Sequence, residues 1–142
     1  MSQAMVPAAG TSFQKEAGIE DSRDLMAEDI LKKNKQGSDP DLTRHVAAES
    51  ARLVEWLDGA MGIRLELVTD FIYPGHSRLR IHANKTRKGA HLINDLLQAA
   101  TRYDRIDIAY KAPAKRLVAD PKTGAVFGAE VEIEGVGRNL AG

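Results

Sequence analysis

Four histidines, His45, His76, His82 and His91, are the side chains here that titrate near neutrality and can ligate metals. His45 and Glu49 stand four apart, on one face of any helix that spans them. Two ligands do not make a metal site, and the spacing supplies no third, so they read as a surface ion pair and no metal centre is expected. His91 borders an apolar helical stripe and reads as a partly buried structural residue. His76 and His82 fall in an irregular basic stretch that holds Arg78, Arg80, Lys85, Arg87 and Lys88 without one acid. A loop of that kind either holds an anion or is simply solvated. No aromatic residue between Arg78 and Lys88 offers base stacking. The tail Gly135-Val136-Gly137-Arg138-Asn139-Leu140-Ala141-Gly142 misplaces the third glycine of a dinucleotide turn and is followed by no helix. Carboxylates fall on helix surfaces or on the wet face of a hairpin, with no isolated pair for acid–base work. Ser and Thr sit at caps and turns, outside any nucleophile elbow. Without cysteine there is no disulfide, thiolate zinc site or thiol nucleophile. No residue is assigned to catalysis.

The elements that must position these groups read as α+β, three helices followed by a small antiparallel meander. Residues 1–20 look like a loop. Asp21 or Ser22 can cap a helix over about 22–34, with Leu25, Met26 and Ile30 at helical spacing. Asp39 and Pro40 open a helix over about 40–60, whose stripe is Val46, Leu53, Val54, Leu57 and Met61, with Trp56 beside it. Arg64 to Val68 alternates like a short strand. Thr86 can cap a third helix over about 87–103, with Leu92, Ile93, Leu96, Leu97 and Ala100 as its stripe. Strands are expected over about 105–111, from Ile106 and Ile108, and over about 114–119. Asp120-Pro121-Lys122-Thr123-Gly124 is a turn leading to a return strand, where Ala129, Val131 and Ile133 alternate with Glu130, Glu132 and Glu134. That alternation predicts one buried and one wet face.

At 142 residues the chain suits one domain or part of one, and its 20 basic residues balance its 20 acidic ones. A net charge of zero argues against a protein that wraps nucleic acid or an anionic membrane. No apolar run approaches the roughly 18–20 residues that cross a bilayer. Met1–Gly10 lacks the charged and apolar regions of a secretory signal, and a cytoplasmic location is expected. The opening loop has no strand before it, and the tail stops where another element should begin, so an incomplete unit is expected.

Three stretches, in order, resemble FAD-dependent flavoproteins of the fumarate reductase and flavocytochrome c group, which includes ketosteroid dehydrogenases and urocanate reductases. They are Met5-Val6-Pro7-Ala8-Ala9-Gly10-Thr11-Ser12-Phe13-Gln14 with Ala17-Gly18-Ile19-Glu20-Asp21-Ser22; Tyr73-Pro74-Gly75-His76-Ser77 through Arg80-Ile81-His82-Ala83 to Gly89-Ala90-His91-Leu92; and Tyr110-Lys111-Ala112-Pro113-Ala114-Lys115-Arg116-Leu117-Val118 with its hairpin. The resemblance implies an excised portion of a Rossmann-like FAD-binding domain. It implies a flavin-side loop over 1–20, a helical part over 21–62, loop and helix over 63–104, and the meander over 105–134. It implies FAD contacts from Ser2, Gln3, Ala4 and Met5 at the isoalloxazine and from the Ala114 backbone at the adenine, with His82 and Ala83 on the substrate side. The phosphate-binding turn and the ribose-binding acid would lie before Met1, and a buried strand after Gly142. The partners implied are the remainder of the flavoprotein and a small-molecule substrate, with hydride transfer between flavin and a carbonyl-activated carbon. Alone, the chain would be inactive, weak in FAD binding and prone to self-association. The competing expectation is a non-enzymatic module whose Arg78–Lys88 loop holds an anionic partner.

Overall fold

The structure, a computed structural model, describes residues 3–133 and 136–141, with side chains as far as Glu132. It divides into two units, residues 1–103 and 104–142.

In the first unit the element order is β1 (Val6–Pro7), α1 (Ser12–Glu16), α2 (Arg23–Lys33), α3 (Pro40–Glu55) running into a π-helical turn (Trp56–Ala60), β2 (Glu66–Leu67), β3 (Ile81–Ala83) and α4 (Gly89–Ala100). Residues 1–20 are therefore not a plain loop. Thr11 closes a capping box on α1: its hydroxyl accepts from the Gln14 N–H while the Gln14 side chain reaches back to the Thr11 N–H. Ser22, rather than Asp21, caps α2 by accepting from the Leu25 N–H. Asp39 caps α3 by accepting from the N–H groups of Asp41 and Leu42, with Pro40 at the first helical position.

The buried side of α3 is Thr43, Ala47, Ser50 and Val54, continued by Leu57. Leu42, Val46, Leu53 and Trp56 stay 46–62% exposed, so the expected apolar stripe is split. Small residues explain the split. Ala47 meets Met26, Ala27 and Ala9 in one core cluster, which lets α2 and α3 approach closely on their small-residue faces. A second cluster joins Ala8, Val54, Leu57, Ile63 and Leu65, with Leu92 and Leu96 of α4 packed against it. The strands form an antiparallel sheet in the order β1-β3-β2, and all three residues of central β3 are buried.

Two expected boundaries move. The strand over 64–68 contracts to Glu66–Leu67, because Leu65 gives its N–H to the Asp58 carboxylate at 3.2 Å and its side chain to the core. The third helix starts at Gly89, because Arg87 has φ +54° and Thr86 is otherwise engaged. The Thr86 hydroxyl donates to Asn84 Oδ1 at 2.8 Å and lies 2.7 Å from His91 Nδ1. His91 is exposed, not partly buried.

In the second unit residues 105–111 form no strand; Ile106 and Ile108 are 49% and 42% exposed, and alternation without a partner strand makes no ladder. The meander is β4 (Ala114–Ala119), β5 (Val126–Ile133) and β6 (Val136–Ala141), so it runs to residue 141 and gives the tail a place as the third strand. Ala114 pairs with Val131 and Leu117 with Ala129, while Glu130 pairs with Asn139 on the other side. Asp120 accepts from the N–H groups of Lys122 and Thr123 at 2.7 and 2.9 Å, and Gly124 supplies the positive φ, +73°, that closes the turn. Those two bonds, Thr123 first, hold the Asp120 carboxyl below its usual range. Lys115 pairs with Glu132 and Arg116 with Glu130 across the strands. Val131 is buried, but Leu117, Val126 and Phe127 are exposed, so the expected buried face is only partly covered.

Candidate functional site

The stretch from Gln3 to Thr11 is held along its whole length by side chains from elsewhere. Gln3 bridges to Lys88, and the Ala4 N–H donates to the Arg87 carbonyl at 3.3 Å. Met5 packs on the cluster of Val68, Ile81 and Ala83. Val6 and Pro7 pair with His82 and Ile81. The Ala8 N–H donates to the Arg80 carbonyl at 2.8 Å, and the Ala9 N–H to the Ser50 hydroxyl at 3.2 Å. Gly10 donates to Gln14 Oε1 at 2.7 Å. Gln3, Ala4 and Met5 are thereby brought against the segment of His82 and Ala83. Ser2 lies outside the described residues, and Ala114, exposed at the start of β4, belongs to the second unit.

Behind this stretch runs a buried polar network. His82 is 0% exposed, with Nδ1 3.3 Å from the Val6 carbonyl and Nε2 3.0 Å from the Thr11 hydroxyl. Phe13 meets its ring edge-on at 5.4 Å. Gln14, also fully buried, donates to Asp21 Oδ2 and to the Leu79 carbonyl, both at 2.8 Å. Arg80, 1% exposed, grips Asp21 with two hydrogen bonds of 3.0 Å. Its Nη1 lies 2.9 Å from Asp29 Oδ2, a charge contact out of line for a hydrogen bond. Burial pushes the Asp29 pKa up, but hydrogen bonds from the Ser77 N–H and hydroxyl, with the charge of Arg80, outweigh it and leave the carboxyl below its usual range.

Burial lowers the pKa of His82, against smaller opposing effects of the Val6 carbonyl, the Arg80 backbone and Glu55. Burial and then the Arg80 charge lower that of His76, against Asp29 and Asp21. Both histidines are therefore protonated more readily in the unfolded chain than in the folded one. Stability is full above the unfolded value of about 6.5 and falls as pH drops below it, toward the folded values. Each histidine contributes a slope of at most about 1.4 kcal/mol per pH unit. The urea midpoint should be lower at pH 5.5 than at pH 7.5, and His82→Asn should flatten the difference; a pH-independent midpoint would contradict the buried neutral rings.

The basic stretch is mostly occupied internally. Arg78 donates to the Glu20 and Ser77 carbonyls, and Arg80 is buried as described. Arg87 grips Asp70 with bonds of 3.0 and 2.8 Å and lies 5.8 Å from the Phe71 ring centre. That hydrogen bonding holds the Asp70 carboxyl below its usual range. Only Lys85 and Lys88 extend from this stretch as exposed basic side chains. The pairing expected of His45 and Glu49 is replaced by Glu49 with Arg52 at 3.2 Å, and among the described residues no three metal-ligating side chains cluster. Sequence reasoning overlooked Thr11, Gln14, Asp21, Asp29 and Arg80 as a set. Thr-x-x-Gln at Thr11–Gln14 was the available signal for two of them.

Known proteins resemble this arrangement. A family model described as FAD binding domain matches residues 1–141. The chain is 32% identical over 116 residues to the urocanate reductase of Eggerthella lenta, covering 82% of this chain and 19% of that protein. It is 27% identical over 132 residues to the fumarate reductase of Schizosaccharomyces pombe, covering 88% of this chain and 25% of that one. A solved structure, the open conformation of a flavocytochrome c3 fumarate reductase, matches with a TM-score of 0.76 and 28% identity, over 92% of this chain and 23% of its own. The chain thus spans at most a quarter of the length of these relatives.

Proposed function

This chain belongs to the FAD binding domain family, and on that premise we propose that it works as a segment of a larger oxidoreductase of the fumarate or urocanate reductase type. The observation that carries the reading is the ladder of β1 on β3, which lays the Gln3–Met5 stretch beside His82 and Ala83 within a chain matched over residues 1–141. The residues fit a flavin: Ala4 has a small side chain, Met5 stands on an apolar wall, and the backbone is fixed before any ligand arrives. Ser2, Gln3, Ala4 and Met5 would face the isoalloxazine, the Ala114 backbone the adenine, and His82 with Ala83 would line the substrate side from behind the loop. When bound, FAD supplies hydride transfer to or from a carbonyl-activated carbon. The protein's part is to fix the loop and exclude water.

The remainder of the flavoprotein, including a Rossmann-like sheet, is proposed to cover Leu42, Val46, Leu53 and Trp56, which form an apolar groove with Val6, Pro7, Met26 and Ile30. Among the described residues no helix is long and apolar enough to cross a membrane. The test is to purify the whole protein that carries these residues. A yellow protein, bleached by dithionite and reoxidised by fumarate or urocanate, is expected. A colourless protein with salt-sensitive anion binding would put the non-enzymatic module in its place, against the internal engagement of Arg78, Arg80 and Arg87.

A further inference from the structure

We propose that His82 is a positioning residue, a ring held as the Nδ1–H tautomer that fixes the Val6 carbonyl and through it the backbone course of Gln3–Pro7. The proposal rests on the flavin reading above. The tautomer follows from donor and acceptor chemistry. A carbonyl only accepts, so at 3.3 Å from the Val6 oxygen Nδ1 must carry the proton. Nε2 is then the acceptor, 3.0 Å from the Thr11 hydroxyl. That hydroxyl already accepts from the Gln14 N–H at 3.2 Å, which leaves its proton free to point at the ring.

The loop needs this hold because β1 is only two residues long and one of them is Pro7, which has no N–H to give to a ladder. The Ala8 N–H, bonded to Arg80, anchors one side of the proline. The side chain of His82 anchors the other, at the residue next to Met5. Gln14 links the two ends by holding Gly10 and Thr11. The ring is thus one member of a chain of bonds from Gln14 to Val6, all of it shielded from water.

The test uses the whole flavoprotein with bound FAD. An Asn amide stands where Nδ1 stands and can keep the Val6 bond, whereas a Gln amide stands nearer Nε2 and keeps only Thr11. His82→Asn should leave FAD affinity within about threefold and the visible absorption band of the bound flavin in place. His82→Gln should weaken FAD by about tenfold, the worth of one hydrogen bond, and shift the band. Equal behaviour of the two variants, with melting temperature changed and the band unmoved, would overturn the proposal in favour of packing alone. Nitrogen NMR of histidine-labelled wild type tests the same point without a variant: a proton on Nδ1 supports it and a proton on Nε2 alone overturns it. A wild-type protein that takes up no FAD would instead overturn the flavin reading, whichever tautomer the ring shows.

Discussion

Arg80→Met should lower the unfolding free energy of the first unit by about 3–5 kcal/mol, the largest effect expected of any single substitution here. The cost comes from what is left behind. The Asp21 side chain is 0% exposed and that of Asp29 13%, so both carboxylates would lose their cation where water cannot replace it. Gln14, which donates to the same Asp21 oxygen that Arg80 Nε holds, would be left with a carboxyl that must either protonate or move. The neutral combination Arg80→Met, Asp21→Asn and Asp29→Asn should recover most of the loss, because it removes the charges together. Urea unfolding followed by circular dichroism measures both. A loss below about 1 kcal/mol for the single change would mean that the network is solvated and that Arg80 is worth no more than a surface pair.

The 142-residue chain alone should bind FAD only at micromolar concentration or weaker, while the whole flavoprotein binds it at nanomolar. A dinucleotide needs its pyrophosphate on a helix N-terminus as well as its two ends held. The only Gly-x-Gly of this chain lies at Gly135–Gly137, and the residues after it form β6 rather than a helix. Charge-assisted bonds to phosphate are worth roughly 1.5–3 kcal/mol each, and three decades of affinity are about 4 kcal/mol. Losing two or three such bonds is enough. Titration of the purified chain, followed by flavin fluorescence, reads the affinity directly, and sedimentation of the same sample should show self-association through the exposed groove on α3. Stoichiometric binding below micromolar concentration would contradict the proposed division of the site.

What could be read from the residues was what the residues decide locally. Asp39-Pro40 and Ser22 announce two helices because a cap is made within one turn of chain. The hairpin at Asp120–Gly124 is likewise closed by its own atoms. Ile106 and Ile108 alternate as a strand should, yet alternation describes a face and does not supply the neighbour that makes a ladder. β1 was illegible for the opposite reason. Nothing in Val6-Pro7 favours a strand, and it exists because residues 80–82, more than seventy positions away, hold it. The polar network is equally non-local. Asp21 reads as a helix cap beside Ser22, and only the fold assigns the hydroxyl to the helix and the carboxylate to Arg80. The family resemblance located the loop and the segment that faces it, but it carried no hint of the buried side chains that fix one to the other.

The π-helical turn at Trp56–Ala60 closes on a bond from the Met61 N–H to the Trp56 carbonyl, five residues back instead of four. It stores one residue that an ordinary helix would not accommodate, and so acts as a phase marker between α3 and everything after it. Deleting Gly59 would let the turn close as α-helix with its backbone bonding intact. It would also swing the following residues by about 100° around the axis, carrying Ile63 and Leu65 off the core. A gap placed at this point in an alignment is consequently not a neutral loss of length. A homologue that lacks the residue must restore the phase before residue 66, or pair a different residue of the exit segment with His82.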